Sequence, residues 1–240
     1  MLNITNPPLI SFRIDFNFDK LEDITFSKMA EVENFLKNCY QQYSKIQIIE
    51  YPVQTGIPFP IGPIKFISKD NDRQLQLYAN GIIFIYTKYT HWEEIKGDIV
   101  DILIKICELL EIKTIEEYRF EYIDEFNFIK EDFNLNEYFT LNINFPQIWN
   151  INYTDFHTGI NLNVKNSDKF IIRLRGLPPS EQEKYLFRLE SIYVKKSTFR
   201  LDNRDTIIKN LDYIHDIIID YFKNIMTNKL KSKLGVKEDD

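Results

Sequence analysis

Between Asp205 and Gly235 the chain repeats apolar residues at three- and four-residue steps: Ile208, Leu211, His215, Ile218, Phe222 and Ile225. That spacing lines them along one face of an α-helix. Asp205 is a capping candidate at the start and Gly235 a stop signal at the end. Lys229, Lys231 and Lys233 fall near that end, where cations suit the helix dipole. The pattern predicts one amphipathic helix over residues 205–234. A helix with a single apolar stripe needs an apolar surface to cover, and most of what precedes it reads as β-strand.

The strand signal is strongest at residues 9–18, where Ile10, Phe12, Ile14, Phe16 and Phe18 alternate with Ser11, Arg13, Asp15 and Asn17. Period-two alternation marks a half-buried antiparallel strand. From residue 26 to 43 the period becomes helical, with Met29, Val32, Leu36, Cys39, Tyr40 and Tyr43 on one stripe. Residues 46–51 read as a short strand. Pro52, Pro58, Pro60 and Pro63, with Gly56 and Gly62, then break regular pairing. Further strands are expected at 64–67, 73–78 and 82–86, the last two joined by an Asn80-Gly81 type I′ turn. Thr90 and Glu93 form a capping box for a helix burying Trp92, Ile95, Ile99, Ile102, Leu103, Ile106 and Leu110. Strands follow at 117–128, 139–145, 159–164, 170–176 and 185–195. These elements describe an α+β protein of mostly antiparallel sheets, in two abutting halves each closed by a long helix. The halves are residues 1–130 and 131–240, with the boundary in the polar stretch 130–137, and one continuous domain is the other arrangement these elements allow.

Composition narrows the function classes. Nineteen Phe and fourteen Tyr exclude a disordered chain, and a net charge of -6 argues against a surface globally adapted to nucleic acid. No apolar stretch approaches the ~20 residues that span a bilayer. Cys39 and Cys107 lack metal-ligand spacing and read as reduced core thiols, which fits a cytoplasmic location without membrane attachment. No GxxxxGK[ST], GxGxxG or GxSxG motif occurs. Scattered His91, His157 and His215 suggest no metal site, and nothing calls for a cofactor or a catalytic residue.

Three blocks carry a resemblance: residues 89–94 (YTHWEE), 119–124 (RFEYID) followed by 137–139 (EYF), and 211–215 (LDYIH) leading to Phe222. Together they resemble a sporadically distributed, functionally uncharacterised family of prokaryotic proteins of about this length. Glu121 and Asp124 depart from the second arginine and the asparagine that the family would carry in the 119–124 block. The resemblance implies a shared fold and a patchily spread gene, as is common in defence or stress loci, and transfers no catalytic residue.

Two groups of residues could bind something. His215 lies on the apolar stripe of the last helix, as a ligand-binding group or as a core imidazole with a hydrogen-bond partner. Asp124 is in phase with Tyr118, Phe120 and Tyr122. It is therefore either a carboxylate on a buried face, inviting a partner such as His215 or an arginine, or turned outward by a bulge near residues 123–124. His215, Asp124 and Tyr122 form the candidate ligand set, in a cavity between the second sheet and the last helix. The other group is electrostatic. Residues 165–204 hold ten basic and five acidic side chains, +5 in a chain of -6. Arg173 and Arg175 share a strand face, and Arg188 shares one with Glu190, where the two could pair. With Lys196, these arginines are the candidate partner-binding residues.

The leading expectation is a non-enzymatic interaction or sensor protein that binds an acidic protein partner through this basic sheet face, with homo-oligomers also compatible. A small-molecule or nucleotide binder using the His215 cavity, and a nucleic-acid-binding accessory protein, stand as the alternatives.

Overall fold

The computed structural model describes residues 3–4, 8–19, 26–40, 42–44, 64–88, 91–130, 133–141, 156–164, 168–178, 183–201 and 203–237. The expected strand at 46–51, the proline-rich loop, Thr90 of the capping box and most of the expected strand at 139–145 lie outside them.

The alternating stretches fold as β2 (Leu9–Asn17), β4 (Ile64–Ile67), β5 (Arg73–Tyr78), β6 (Gly81–Tyr86), β7 (Thr114–Ile129), β8 (His157–Asn163), β9 (Lys169–Leu177) and β10 (Lys184–Arg200). With β3 (Gln42–Ser44) they make one antiparallel sheet of nine described strands, ordered β3-β4-β5-β6-β2-β7-β10-β9-β8. A two-residue β1 (Asn3–Ile4) pairs separately with β11 (Val236–Lys237). The large sheet passes from the first stretch of the chain to the second where β7 and β10 lie side by side, in register from Lys184↔Ile129 to Lys196↔Glu117. The protein is thus mixed α+β with an antiparallel sheet.

Alternation divides this sheet into two faces. On one, Phe12, Ile14 and Phe16 meet Phe120, Tyr122 and Tyr118 across the β2–β7 ladder, and all six are buried. The helices α1 (Phe26–Cys39), α2 (Trp92–Leu109) and α4 (Arg204–Ile225) pack here, joined by α3 (Leu135–Tyr138) and α5 (Asn228–Leu234). Trp92 of α2 stands edge-on to Phe12, and Phe222 of α4 stacks on Phe126 of β7. Burying this many aromatic and branched side chains is the main stabilising term, at about 1.5–3 kcal/mol for each fully buried large apolar residue. The opposite face carries Arg13, Asp15, Arg119, Glu121, Glu125, Arg173, Arg175, Arg188 and Glu190, and no described helix packs on it.

Four local expectations are corrected. The terminal helix is two helices: Met226 leaves the helical region at φ -83°, ψ 131°, and Thr227 caps α5 by accepting from Leu230 N–H. The break occurs because this backbone pairs elsewhere. Met226 forms a bridge with Phe139, Thr140 N–H donates to the Ile225 carbonyl, and Thr227 N–H donates to that of Tyr138. The N-cap of α4 is Asn203, which accepts from Thr206 N–H, rather than Asp205.

The β5–β6 turn falls one residue early, on Ala79-Asn80, without the positive φ that type I′ requires. Gly81 instead answers a close approach: a Cβ there would lie 2.9 Å from Asn17 Oδ1 and 3.1 Å from the Phe16 carbonyl. Finally, α1 stops at Cys39, so Tyr43 belongs to β3 and not to a helical stripe.

Candidate functional site

Two constellations result, one on each face of the sheet. On the helix side, Tyr122 of β7 points at α4, and its hydroxyl lies 2.6 Å from His215 Nδ1. The imidazole also stacks on Trp92, with centroids 4.3 Å apart and planes 9° from parallel. Trp92 Nε1–H donates to Asp212 Oδ1 at 2.7 Å, and Lys96 Nζ donates to the same oxygen at 2.8 Å while pairing with Glu93. The i, i+4 pair Trp92/Lys96 thereby meets the i, i+3 pair Asp212/His215 across the α2–α4 seam. Burial between these helices pulls the His215 pKa down to about 4, so the imidazole is neutral at pH 7. Either neutral tautomer satisfies the tyrosine bond.

Asp124 faces the same side and is 5% exposed. Its cross-strand neighbours are Leu9 on β2 and Leu189 on β10, so the carboxylate sits in an apolar row. Burial alone raises its pKa to about 8. The anticipated irregularity is present, as a register shift between Leu9 and Ser11, but the extra residue is on β2. β7 keeps its phase, and Asp124 stays inward. The suggested pairing of Asp124 with His215 or an arginine does not form among the described residues, because His215 takes Tyr122. A cavity of about 280 Å³ lies elsewhere, against Cys107, Ile112, Lys113 and Arg200, and touches none of Tyr122, Asp124 and His215.

The second constellation is the open face. Arg13 grips Asp15 through two bonds of 2.6 and 2.8 Å, and Arg119 bonds Glu121 at 2.9 Å. Both pairs are i, i+2 along one strand. Arg188 donates to Glu125 Oε1 through Nε and Nη2 at 3.0 and 2.5 Å. Arg173 and Arg175 share the Oε2 oxygen of Glu190, at 3.5 and 3.3 Å. Arg188 therefore pairs across the ladder with Glu125, and Glu190 turns to β9, in place of the Arg188–Glu190 pair that alternation suggested. Lys196 is exposed opposite Glu117, before the β10 irregularity.

The charges are layered. The five arginine side chains are 35–40% exposed, whereas Asp15, Glu121, Glu125 and Glu190 are only 10–23% exposed. Arginine stems lying over the sheet with their heads outward account for such an arrangement.

Charge totals along the chain pointed to Arg173, Arg175 and Arg188 but passed over Arg13 and Arg119. Their signal was available as Arg-x-Asp and Arg-x-Glu on alternating strands. Trp92 was read as packing, and Lys96 and Asp212 were not singled out, since contacts between helices distant in sequence leave no local signature. Histidines 91 and 157 are exposed, both cysteines are free thiols, and no group of three metal-ligating side chains occurs among the described residues. No described helix is long and apolar enough to cross a membrane. Comparison with known proteins found no matching family model and no matching curated sequence.

Proposed function

We propose that this protein is a non-enzymatic interaction or sensor component whose open sheet face docks an acidic protein partner. The layering of charge carries the proposal. An approaching surface meets guanidinium groups first, while the carboxylates that neutralise them lie deeper. Arginine is well suited to that role, because its planar fork binds carboxylates bidentately and its stem adds apolar contact. Ile83, Ile85, Ile123 and Ile171, half-buried on the same face, supply apolar area between the charges. A protein fits better than nucleic acid, since each arginine has a carboxylate beside it and the chain is -6 overall. The resemblance to a sporadically distributed prokaryotic family extends the proposal to a defence or stress locus.

The test is affinity purification from cells carrying the native gene neighbourhood, comparing wild type with the Arg173→Gln/Arg175→Gln variant. A stoichiometric acidic protein that co-elutes with wild type and is lost from the folded variant supports the docking face. Retention of that protein by the variant removes it.

A further inference from the structure

We propose that Arg173 and Arg175 form the anchoring subsite for a carboxylate of the partner, and that Glu190 occupies this subsite as an internal surrogate in the free protein. The inference rests on the docking face proposed above and gives it a specific centre.

The arginine-paired carboxylates on this face are held differently. Asp15 engages one arginine through both of its oxygens, and Glu125 receives two N–H groups from one arginine. Glu190 uses one oxygen against two guanidinium groups, at 3.5 and 3.3 Å, and only the Arg175 contact qualifies as a hydrogen bond. Two cations facing one carboxylate leave a local excess of one positive charge. Arg175 Nε is in addition buried without an acceptor among the described residues, as Arg119 Nε also is. What sets this place apart on the face is that two guanidinium groups share a single carboxylate oxygen.

Its shape also suits an incoming acid. Arg173 and Arg175 are two residues apart on β9 and project to the same side, and the Glu190 carboxylate already reaches both. A second carboxylate arriving from solvent can span them too, with the freedom to adopt fork geometry that a side chain tethered to β10 lacks. On the β8 side the residue opposite Arg173 is Gly159, where an added Cβ would lie 3.6 Å from Arg173 Cγ. The glycine leaves the arginine stem unobstructed on that flank. Opposite Arg175 stands His157, exposed and without a negative charge.

Glu190 then acts as a competitor that the partner must displace, so removing its charge strengthens binding. The probe is a hexaglutamate peptide titrated calorimetrically at low ionic strength, with hexaglutamine as the uncharged control. Glu190→Gln is expected to bind hexaglutamate about fivefold more tightly than wild type, the upper end for one exposed ion pair. Arg173→Gln is expected to weaken binding by a similar factor. Arg204→Gln makes the same change in net charge on α4, where Arg204 pairs with Asp101, and is expected to bind as wild type does. Thermal melts confirm that each variant is folded. Binding by Glu190→Gln no tighter than wild type overturns the surrogate role. Weakening by Arg204→Gln equal to that by Arg173→Gln overturns the subsite, since only net charge would then matter. Either result leaves the docking face standing if the native partner is still lost from Arg173→Gln/Arg175→Gln. Retention of the partner by that variant is what removes the face itself.

Discussion

Replacing Asp124 by asparagine should stabilise the protein at neutral pH, and by an amount that depends on pH in a defined way. The carboxyl group sits between Leu9 and Leu189 with a pKa raised to about 8, against an ordinary value of 3.8. A raised folded-state pKa means that the folded chain holds its proton after the unfolded chain has released it. Stability is therefore greatest below the unfolded pKa and is lost as pH rises toward the folded one. At 1.36 kcal/mol per unit, the loss is about 0.6 kcal/mol at pH 4 and about 4 kcal/mol at pH 7, levelling off above pH 8. Asparagine matches the protonated acid in size and has no proton to lose. The variant should equal wild type near pH 4 and exceed it by several kcal/mol at pH 7, less a cost of about 1–3 kcal/mol if its amide stays unpaired. Urea unfolding of both proteins at intervals from pH 4 to 9 measures the difference directly, and contributions from all other groups cancel in it. Parallel stability profiles would refute the reasoning, because the carboxylate would then have to be solvated or paired in the folded state.

Four further perturbations have defined outcomes. His215, with its pKa lowered to about 4 by burial, contributes stability that is present above pH 6.5 and is lost as pH falls toward 4, to a limit of about 3 kcal/mol. His215→Phe, which can still stack on Trp92, should flatten this acid limb in the same urea series, and an unchanged limb would place the titration elsewhere. Gly81→Ala should cost about 1–3 kcal/mol by pushing β6 away from Asn17 and Phe16, whereas Gly97→Ala, in α2 with open space around it, should stabilise by up to about 1 kcal/mol, both read as shifts in thermal midpoint. Thr227→Ala should cost about 1 kcal/mol through loss of the α5 cap, and hydrogen exchange should quicken at Leu230 if the cap matters as described.

The strands were legible because alternation is local. Residues 9–18 and 117–128 announce their inward faces through Phe12, Ile14, Phe16, Tyr118, Phe120 and Tyr122, and the sheet buries that set, whereas Ile10, which alternation placed with them, is the extra residue of the β2 bulge and is exposed. For Asp124 phase left two directions open, inward if alternation persisted and outward if β7 bulged near residues 123–124, and the inward one holds because the bulge formed on β2. What alternation cannot supply is register. Arg188 and Glu190 are neighbours on one face of one strand, yet the ladder brings Glu125 opposite Arg188 and Arg173 opposite Glu190, and those contacts decided the pairing. The split in the terminal helix was hidden for a related reason. Met226 can leave the helix because residues 138–140, far away in sequence, offer its neighbours hydrogen bonds. The helix-side cluster depends likewise on α2 meeting α4, so His215 and Tyr122 could be grouped without the stacking surface Trp92 or the Lys96 and Asp212 that complete the cluster.

The most direct test of the docking face is the purification from the native gene neighbourhood, run side by side for wild type and the folded Arg173→Gln/Arg175→Gln variant, with native mass spectrometry of each eluate. The account predicts a stoichiometric complex with an acidic protein for wild type and a bare chain for the variant. An identical complex from both proteins, or a wild-type chain that carries only nucleic acid, would contradict it.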